Sequence, residues 1–360
     1  MKSSNLKTTV LLSTIVIFIL ACGFPSTGKK DVIPTDVSVD SAPPTEIPTH
    51  HEIIPVSLPA ERSSHAGDFD SSTTADKKSA AGGDRFTFGR FERPFNANTM
   101  DVYFPEIDII DTSVLQDETW IYGKITVKGN EGHLLTGKYA IELDLNIDGK
   151  GDWLIIVNAP TSTDWTTDGI QAYHDANKGV GDLSAMYTDE NAVSTDGFEQ
   201  LVFDQGQGAD ADAAWVRVSP EDPNTVEISV KRALLGNPEK YLINMWAGNS
   251  LVDPKLFDIN DYFTHEQAGA ADPGFELFYP IKGVSEIDNS CRMAVGFEPT
   301  GLEPGLCEVF VPNEVIANSP QGCTASPRQI LACSLNSDPS YSCGWNSKSC
   351  TCECEYIGPK

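Results

Sequence analysis

Basic residues are scarce in this chain. Its 360 residues include 25 Lys and Arg against 52 Asp and Glu, which gives a formal net charge of −27. This balance excludes a nucleic-acid partner, because recognition of the phosphate backbone needs a basic face. Hydrophobic residues make up 40% of the chain and include 16 Phe and 6 Trp, so the sequence can fill a sizeable core.

The sequence also lacks the signatures of common enzymes. It contains no Gly-X-Ser-X-Gly elbow and no His-Glu-X-X-His motif. No long amphipathic helix is visible, which disfavours a βαβ fold with a nucleotide-binding loop. The helical signals are short, such as Thr264 and Gln267 at the spacing of a capping box. We therefore expect a protein without catalytic activity, and a hydrolase that uses paired carboxylates is the third alternative.

The N-terminus reads as an export signal. Two lysines precede an apolar run at residues 10–20, which is shorter than the roughly 20 residues that span a bilayer. This pattern predicts a signal peptide over residues 1–21. The sequence Ile-Leu-Ala-Cys-Gly at residues 19–23 resembles a bacterial lipobox. The resemblance implies lipidation of Cys22 and a membrane-anchored, extracytoplasmic lipoprotein at the cell surface. The alternative is an ordinary signal peptide with an incidental cysteine.

Residues 22–85 have the composition of a spacer. The segment is rich in Pro, Ser and Thr and has few large apolar residues. Such a segment buries too little apolar surface to offset the conformational entropy lost on folding. We expect a disordered, semi-extended tether that holds the folded part away from the membrane.

Residues 86–285 carry the signal of the fold. Apolar and polar side chains alternate along residues 118–128 and 141–148, and Gly, Asp, Asn and Pro separate such runs. Period-two alternation with these breaks predicts an antiparallel all-β fold. About ten such runs suit a β-sandwich of two packed sheets, with a closed β-barrel as the alternative.

Cysteines are absent between Cys22 and residue 286 and dense beyond it. A segment as short as residues 286–360 cannot build a core of its own and needs disulfides. The alternative is metal binding through the closely spaced cysteines at 350–354, although zinc sites prefer two or more residues between paired cysteines. No pairing follows from the sequence. The expected disulfide cysteines are Cys291, Cys307, Cys323, Cys333, Cys343, Cys350, Cys352 and Cys354.

One acidic run has the pattern of a calcium loop. Oxygen-bearing side chains at alternate positions precede Gly149, which would let the loop curl around a hard cation. The bidentate Glu that ends an EF-hand loop is replaced by Ile155. The alternative is a hairpin turn with an acidic outer face. The candidate calcium ligands are Asp144, Asn146, Asp148 and Asp152.

A second run joins aromatic rings to carboxylates and amides. Sugar sites use this combination, because rings stack on the C–H faces of the sugar while polar groups bind its hydroxyls. The alternative is a long loop whose Trp165 closes the end of the sandwich. The candidate ligand-binding residues are Trp165, Asp168, Tyr173, Asp175 and Asn177.

Residues 95–285 resemble the family 9 carbohydrate-binding modules and the related DOMON-type sandwiches. The resemblance implies a β-sandwich, structural calcium and an aromatic-lined sugar site that includes Trp165 and Tyr173. The expected function is therefore that of a lipid-anchored binding protein for glycans. The alternative is a structural or adhesion protein of the cell envelope that binds other proteins. The stretches that carry the resemblance are 117–128, 140–157 and 165–182.

Overall fold

The computed structural model describes residues 50–80, 82–130, 132, 134–181, 185–190, 196–249, 253–301, 303–307, 341–346 and 351–356. All of them belong to one unit, Pro48–Lys360. The expected signal peptide, Cys22 and the first part of the expected spacer lie outside the described residues. Within the described part, no helix is long and apolar enough to cross a membrane.

Strands dominate the described chain, and helices are limited to single turns. The strands are β1 (Ser64–Gly67), β2 (Glu92–Arg93), β3 (Ile109–Gln116), β4 (Trp120–Val127), β5 (Lys138–Asp144), β6 (Trp153–Asn158), β7 (Ile170–His174), β8 (Gln200–Asp204), β9 (Gln207–Gly208), β10 (Ala214–Val218), β11 (Thr225–Lys231), β12 (Tyr241–Gly248), β13 (Ile287–Asn289), β14 (Met293–Val295), β15 (Tyr341–Asn346) and β16 (Thr351–Tyr356). The α-helices are α1 (Ala185–Thr188), α2 (Ile259–Tyr262) and α3 (His265–Ala268). Turns of 3-10 helix occur at Ser71–Thr73, Ala75–Lys77, Phe86–Phe88 and Pro254–Leu256.

The strands form two main antiparallel sheets. The five-stranded sheet has the order β1-β3-β4-β11-β10. The nine-stranded sheet has the order β2-β13-β12-β5-β6-β7-β8-β9, and β14 also pairs with β12. A separate hairpin joins β15 to β16. The predicted antiparallel all-β fold is confirmed, and the barrel alternative is wrong because two separate sheets, each with its own edges, form in place of one closed sheet.

The core lies between the two sheets, as the alternation predicts. Ile121 and Ile125 of β4 are fully buried in the same cluster as Ile141 of β5 and Met245 of β12. Each such side chain contributes roughly 1.5–3 kcal/mol through burial. The sheets approach so closely that a Cβ at Gly123 would lie 2.6 Å from Ile141 Cγ2 and 3.3 Å from Met245 Cε. A larger residue at position 123 would therefore push the sheets apart.

Both outer faces of the sandwich are covered. Trp120, Tyr122 and Trp215 lie on the outer face of the five-stranded sheet, where Leu58 and Trp165 pack against them. A second cluster, which includes Trp246, covers the outer face of the nine-stranded sheet. Strands such as β5 and β6 are therefore buried on both faces, and this explains the nearly continuous apolar run in β6.

The sandwich extends beyond both boundaries expected from the sequence. At the N-terminal side, β1 and two 3-10 turns fall within the expected spacer, and β1 pairs with β3 in the register Ser64↔Val114. At the other side, β13 and β14 complete the nine-stranded sheet with residues of the expected Cys-rich segment. Short strands that pair with distant partners leave little trace in local composition, so the sequence did not reveal them.

The expected disulfides are confirmed at one pair, Cys291–Cys307, which closes a loop with a sequence separation of 16. On the terminal hairpin, Cys343 is registered opposite Cys354, and Cys352 opposite Trp345. The remaining expected disulfide cysteines, at positions 323, 333 and 350, lie outside the described residues.

The Cys291–Cys307 bond should stabilise the sandwich. Closing a loop of this length restricts the unfolded chain, so we expect the Cys291→Ser/Cys307→Ser double variant to lose about 3 kcal/mol of unfolding free energy. Urea denaturation of the oxidised wild type and the double variant measures the difference. An unchanged midpoint would contradict the expectation.

Candidate metal centre

Three buried carboxylates, those of Glu92, Asp108 and Asp288, converge at one edge of the sandwich, and the Asp68 carboxylate lies near enough to interact electrostatically with each of them. Glu92 in β2 and Asp288 in β13 are directly opposite each other in the antiparallel pair. Asp108 lies immediately before β3, and Asp68 immediately follows β1. Carboxylate oxygens of Glu92, Asp108 and Asp288 lie within 4.8 Å of one another, and all three residues are buried. Like charges placed directly across a strand pair are destabilising, so Glu92 and Asp288 would need a compensating cation when both are ionised.

One oxygen of each carboxylate is held in place by the protein. Glu92 Oε1 accepts a hydrogen bond from the Ser71 hydroxyl at 2.6 Å. Asp288 Oδ2 accepts one from the backbone N–H of Ile109, also at 2.6 Å. This second bond joins β13 of one sheet to β3 of the other.

The remaining two carboxylates are oriented in the same way. Asp68 Oδ1 accepts a hydrogen bond from the backbone N–H of Phe69 at 3.0 Å. Asp108 Oδ2 accepts one from the hydroxyl of Tyr103. Each carboxylate of the cluster is therefore fixed through one oxygen, which leaves the direction of its second oxygen defined.

The second oxygen of each carboxylate is buried and has no hydrogen-bond partner. These atoms are half of the eight buried side-chain polar atoms without a partner among the described residues. Burying a polar atom without a partner costs about 1–3 kcal/mol, and more when the group is charged. Their concentration at one place points to a ligand that would satisfy them together. The atoms are Asp68 Oδ2, Glu92 Oε2, Asp108 Oδ1 and Asp288 Oδ1.

Burial also raises the pKa values of the four carboxylates. Burial raises the pKa of Asp68 and of Asp108 to about 7. Burial, and then the neighbouring carboxylates, raise the pKa of Glu92 and of Asp288 well above the usual range. The four groups therefore resist joint ionisation at neutral pH unless a cation balances their charge.

The donor set fits a hard cation, and calcium best. All four free ligand atoms are carboxylate oxygens, whereas zinc sites favour nitrogen and sulfur. Calcium accepts six to eight oxygens in flexible geometry, while magnesium needs a near-ideal octahedron and retains waters. Gly83 leaves room for Glu92 Oε2 and the Phe69 ring, because a Cβ there would lie 3.2 Å from Glu92 Oε2 and 2.7 Å from the Phe69 ring.

The acidic run predicted as a calcium loop forms the turn between β5 and β6. Asp144 Oδ1 accepts hydrogen bonds from the backbone N–H groups of Ile147 and Asp148, and Asp144 Oδ2 accepts one from Gly149. Burial raises the pKa of Asp144 to about 6. Both oxygens of Asp144 therefore organise the turn itself, as in the hairpin alternative.

The other members of this run behave similarly. Asn146 Oδ1 accepts from the backbone N–H of Asp148 at 3.0 Å, and Asp152 Oδ2 accepts from Leu145 at 2.7 Å. Calcium binding by these residues stays a prediction.

The residues predicted to bind a ligand are divided between the two outer faces of the sandwich. Trp165 packs against Tyr122 on the five-stranded sheet, and the Arg217 guanidinium lies 4.5 Å from its ring centroid. Tyr173 packs against the cluster on the nine-stranded sheet. The structure does not bring these two rings together.

The polar members of that group have local partners. The Asp175 carboxylate accepts hydrogen bonds from the backbone N–H groups of Gly179 and Val180. Asn177 donates to Asp196 at 3.0 Å. Asp168 is exposed on the loop before β7. These contacts fix the loops around β7, as expected for structured connections.

A chain of hydrogen bonds at α3 joins Thr87, His265 and Asp189. The Thr87 hydroxyl lies 2.9 Å from His265 Nε2, and His265 Nδ1 lies 2.8 Å from Asp189 Oδ1. The same Asp189 oxygen accepts the backbone N–H of His265, and the imidazole stacks on Phe278. This network fastens α3, whose predicted capping box between Thr264 and Gln267 is confirmed.

Comparisons with known proteins identify no relative, so the class of this protein is described by its fold and its site. No family model, no curated protein and no solved structure matches the chain. The two features define the class: an antiparallel β-sandwich with a buried acidic centre at one edge. The acidic centre was missed in the sequence because its four members are far apart along the chain and none lies in a dense acidic run.

Proposed function

We propose that this chain is a lipid-anchored extracytoplasmic binding protein whose β-sandwich is stabilised by a calcium ion. The ion would bind Asp68, Glu92, Asp108 and Asp288. The observation that carries the proposal is the convergence of four buried, unpartnered carboxylate oxygens from four segments of the chain. Calcium would satisfy these atoms and balance the charge of both sheet edges, so it would stabilise the folded state over the unfolded one.

The proposed location outside the cytoplasm is compatible with the disulfide in the structure. The lipobox-like sequence predicts acylation of Cys22, and this would attach the sandwich to the membrane surface. The Cys291–Cys307 disulfide suits an oxidising compartment outside the cytoplasm. Calcium sites in extracellular modules bind with dissociation constants on the order of 10⁻⁴–10⁻³ M.

Calcium titration by calorimetry tests the proposal. We expect the full-length protein, purified in detergent, to bind calcium with an affinity in that range. The Glu92→Gln and Asp288→Asn variants should each lose measurable binding, because each removes a buried anionic ligand. Asp148→Asn is the matched control, since it removes one carboxylate from the turn between β5 and β6.

The outcomes separate the two candidate calcium sites. Binding that survives Asp148→Asn and is lost in Glu92→Gln supports the buried centre. Loss in Asp148→Asn alone would move the site to the turn. A wild-type protein that binds no calcium would overturn the proposal.

The identity of the external ligand stays a prediction. Sugar stacking needs an open aromatic face, and Arg217 already lies over the Trp165 ring. One face of the Trp165 ring is therefore occupied by a contact within the protein. A glycan remains the ligand class that the sequence predicts, and a protein of the cell envelope remains the alternative partner.

A further inference from the structure

The four acidic residues lie at an open edge shared by both sheets. Asp68 follows β1, which is the edge strand of the five-stranded sheet, and Asp108 precedes its partner β3. Glu92 belongs to β2, the edge strand of the nine-stranded sheet, and Asp288 to the adjacent β13. A cation bound to all four would therefore connect the first strand of the fold to both sheets.

Apart from its ladder with β3, β1 is held by few contacts, among them a hydrogen bond from the Thr112 hydroxyl to the Ala66 carbonyl at 3.0 Å. It is four residues long, pairs only with β3, and buries only Ala66 among its side chains. Its ion pair between His65 and Asp111 is exposed at 44% and 40%, and a pair this exposed contributes about 0–1 kcal/mol. So short a strand at an edge gains little from apolar burial and depends on its polar contacts.

The chain that follows β1 turns directly into the acidic centre. Asp68 supplies one unpartnered oxygen, and Ser71 donates its hydroxyl to Glu92. The intervening Asp70 accepts a hydrogen bond from Lys128 at 2.6 Å, with both side chains substantially exposed. The contacts of residues 68–71 with the sandwich are thus mainly polar and centred on the proposed calcium ligands.

Resting on the proposed function, we infer that the bound calcium acts as a latch that fastens residues 63–71, the latch segment, to the sandwich. When calcium is removed, the latch segment detaches from the edge of β3 while the rest of both sheets stays folded. The latch segment follows residues 51–58, which contact the sandwich at Asp212 and on the outer face of the five-stranded sheet. Its detachment would expose the Arg62–Ser63 peptide bond. Cleavage there would cut the covalent link to the predicted lipid anchor and leave only these contacts of residues 51–58.

The Arg62–Ser63 bond has the geometry that such a latch would protect. The Arg62 side chain is exposed, whereas the backbone N–H of Ser63 donates to the carbonyl of Val114 at 2.7 Å. The Asp68 N–H at the other end of the strand donates to Ile110 at 3.1 Å. A protease needs several residues in an extended, accessible form, so this bond can be cut only after β1 leaves β3.

Hydrogen exchange on the full-length protein in detergent tests the latch. With calcium at about 100 times its dissociation constant, linkage predicts a roughly 100-fold lower equilibrium population of the detached latch segment than in chelator. The amides of Ser63–Gly67 should therefore exchange about 100-fold faster without calcium. The amides of β11, in the middle of the same sheet, should change far less.

Trypsin digestion with mass spectrometry provides the second readout. A fragment that begins at Ser63 should accumulate in chelator and be suppressed by calcium. The Asp68→Asn variant should yield this fragment even with calcium, because it removes the ligand that the latch segment contributes. Glu239→Gln, at an exposed position between β11 and β12 that belongs to neither candidate calcium site, should behave like the wild type.

The outcomes distinguish this inference from the proposed function. Calcium binding without selective protection of Ser63–Gly67 would overturn the latch and leave the calcium-stabilised sandwich intact. Equal acceleration of exchange in β1 and β11 would also overturn it, since the ion would then stabilise the sandwich only globally. Failure of calcium binding in calorimetry would overturn both.

Discussion

Removing calcium should lower the melting temperature of the protein by roughly 5–10 °C. A ligand at 100 times its dissociation constant contributes about 2.7 kcal/mol to the folded state. For a sandwich of this size, each kcal/mol corresponds to roughly 2–4 °C. The structural cause is the set of four unpartnered oxygens at Asp68, Glu92, Asp108 and Asp288, which the ion would bind. Differential scanning calorimetry with calcium, with chelator and after calcium is restored measures the shift.

The Glu92→Gln variant makes this test more specific, because its effect on the melting temperature should have opposite signs in chelator and in calcium. In chelator, burial and the neighbouring carboxylates raise the pKa of Glu92, so folding at neutral pH must either protonate this group or bury its charge. Glu92→Gln removes that cost, so the variant should melt at or above the wild-type temperature. In calcium, the variant should melt below the wild type because a ligand is missing. Asp148→Asn should follow the wild type in both solutions. A wild-type melting temperature that is the same with calcium and with chelator would contradict the metal assignment.

Replacing Arg93 with Met should destabilise the sandwich by about 3–5 kcal/mol, because it leaves the buried Asp84 carboxylate without its cation. Both side chains are fully buried, and Arg93 Nε lies 2.9 Å from Asp84 Oδ1. Arg93 also donates to the backbone carbonyls of Ala268, Gly269 and Val284. Denaturation by guanidinium chloride in saturating calcium measures the loss.

Two further variants show whether the loss comes from the stranded charge. Arg93→Met/Asp84→Asn should recover part of the stability, since the amide at position 84 is neutral and can still accept the N–H of Ala271. Lys128→Met breaks an ion pair that is 40% and 35% exposed, and we expect it to cost less than about 1 kcal/mol. Equal losses in Arg93→Met and Lys128→Met would contradict the explanation.

The predictions that the structure confirms rest on patterns that span only a few residues. Alternation along β4 places Ile121 and Ile125 inward and Trp120 and Tyr122 outward, as the structure shows. The capping box at Thr264 is also a local arrangement, and it forms where the spacing predicted it. These features depend on side-chain periodicity and neighbouring backbone groups, so a single sequence is enough to find them.

The spacer boundary at residue 85 shows where local composition misleads. Residues 64–67 look like part of a polar tether, but they gain backbone hydrogen bonds from β3, which lies far ahead in the chain. The acidic run at residues 144–152 has the composition of a cation loop, and Asp144 accepts N–H groups of its own turn with both oxygens. Calcium binding by this run stays a prediction.

The sequence by itself determined the antiparallel all-β class and which faces of the central strands point into the core. It also predicted that the cysteines of residues 286–360 form disulfides, and the structure shows one of these bonds, Cys291–Cys307. Only the tertiary structure decided where carboxylates gather without partners. Asp68, Glu92, Asp108 and Asp288 meet because β1 pairs with β3 and β2 pairs with β13. Such strand pairings are set by the packing of the whole sandwich, so no local pattern along the chain could have assembled this centre.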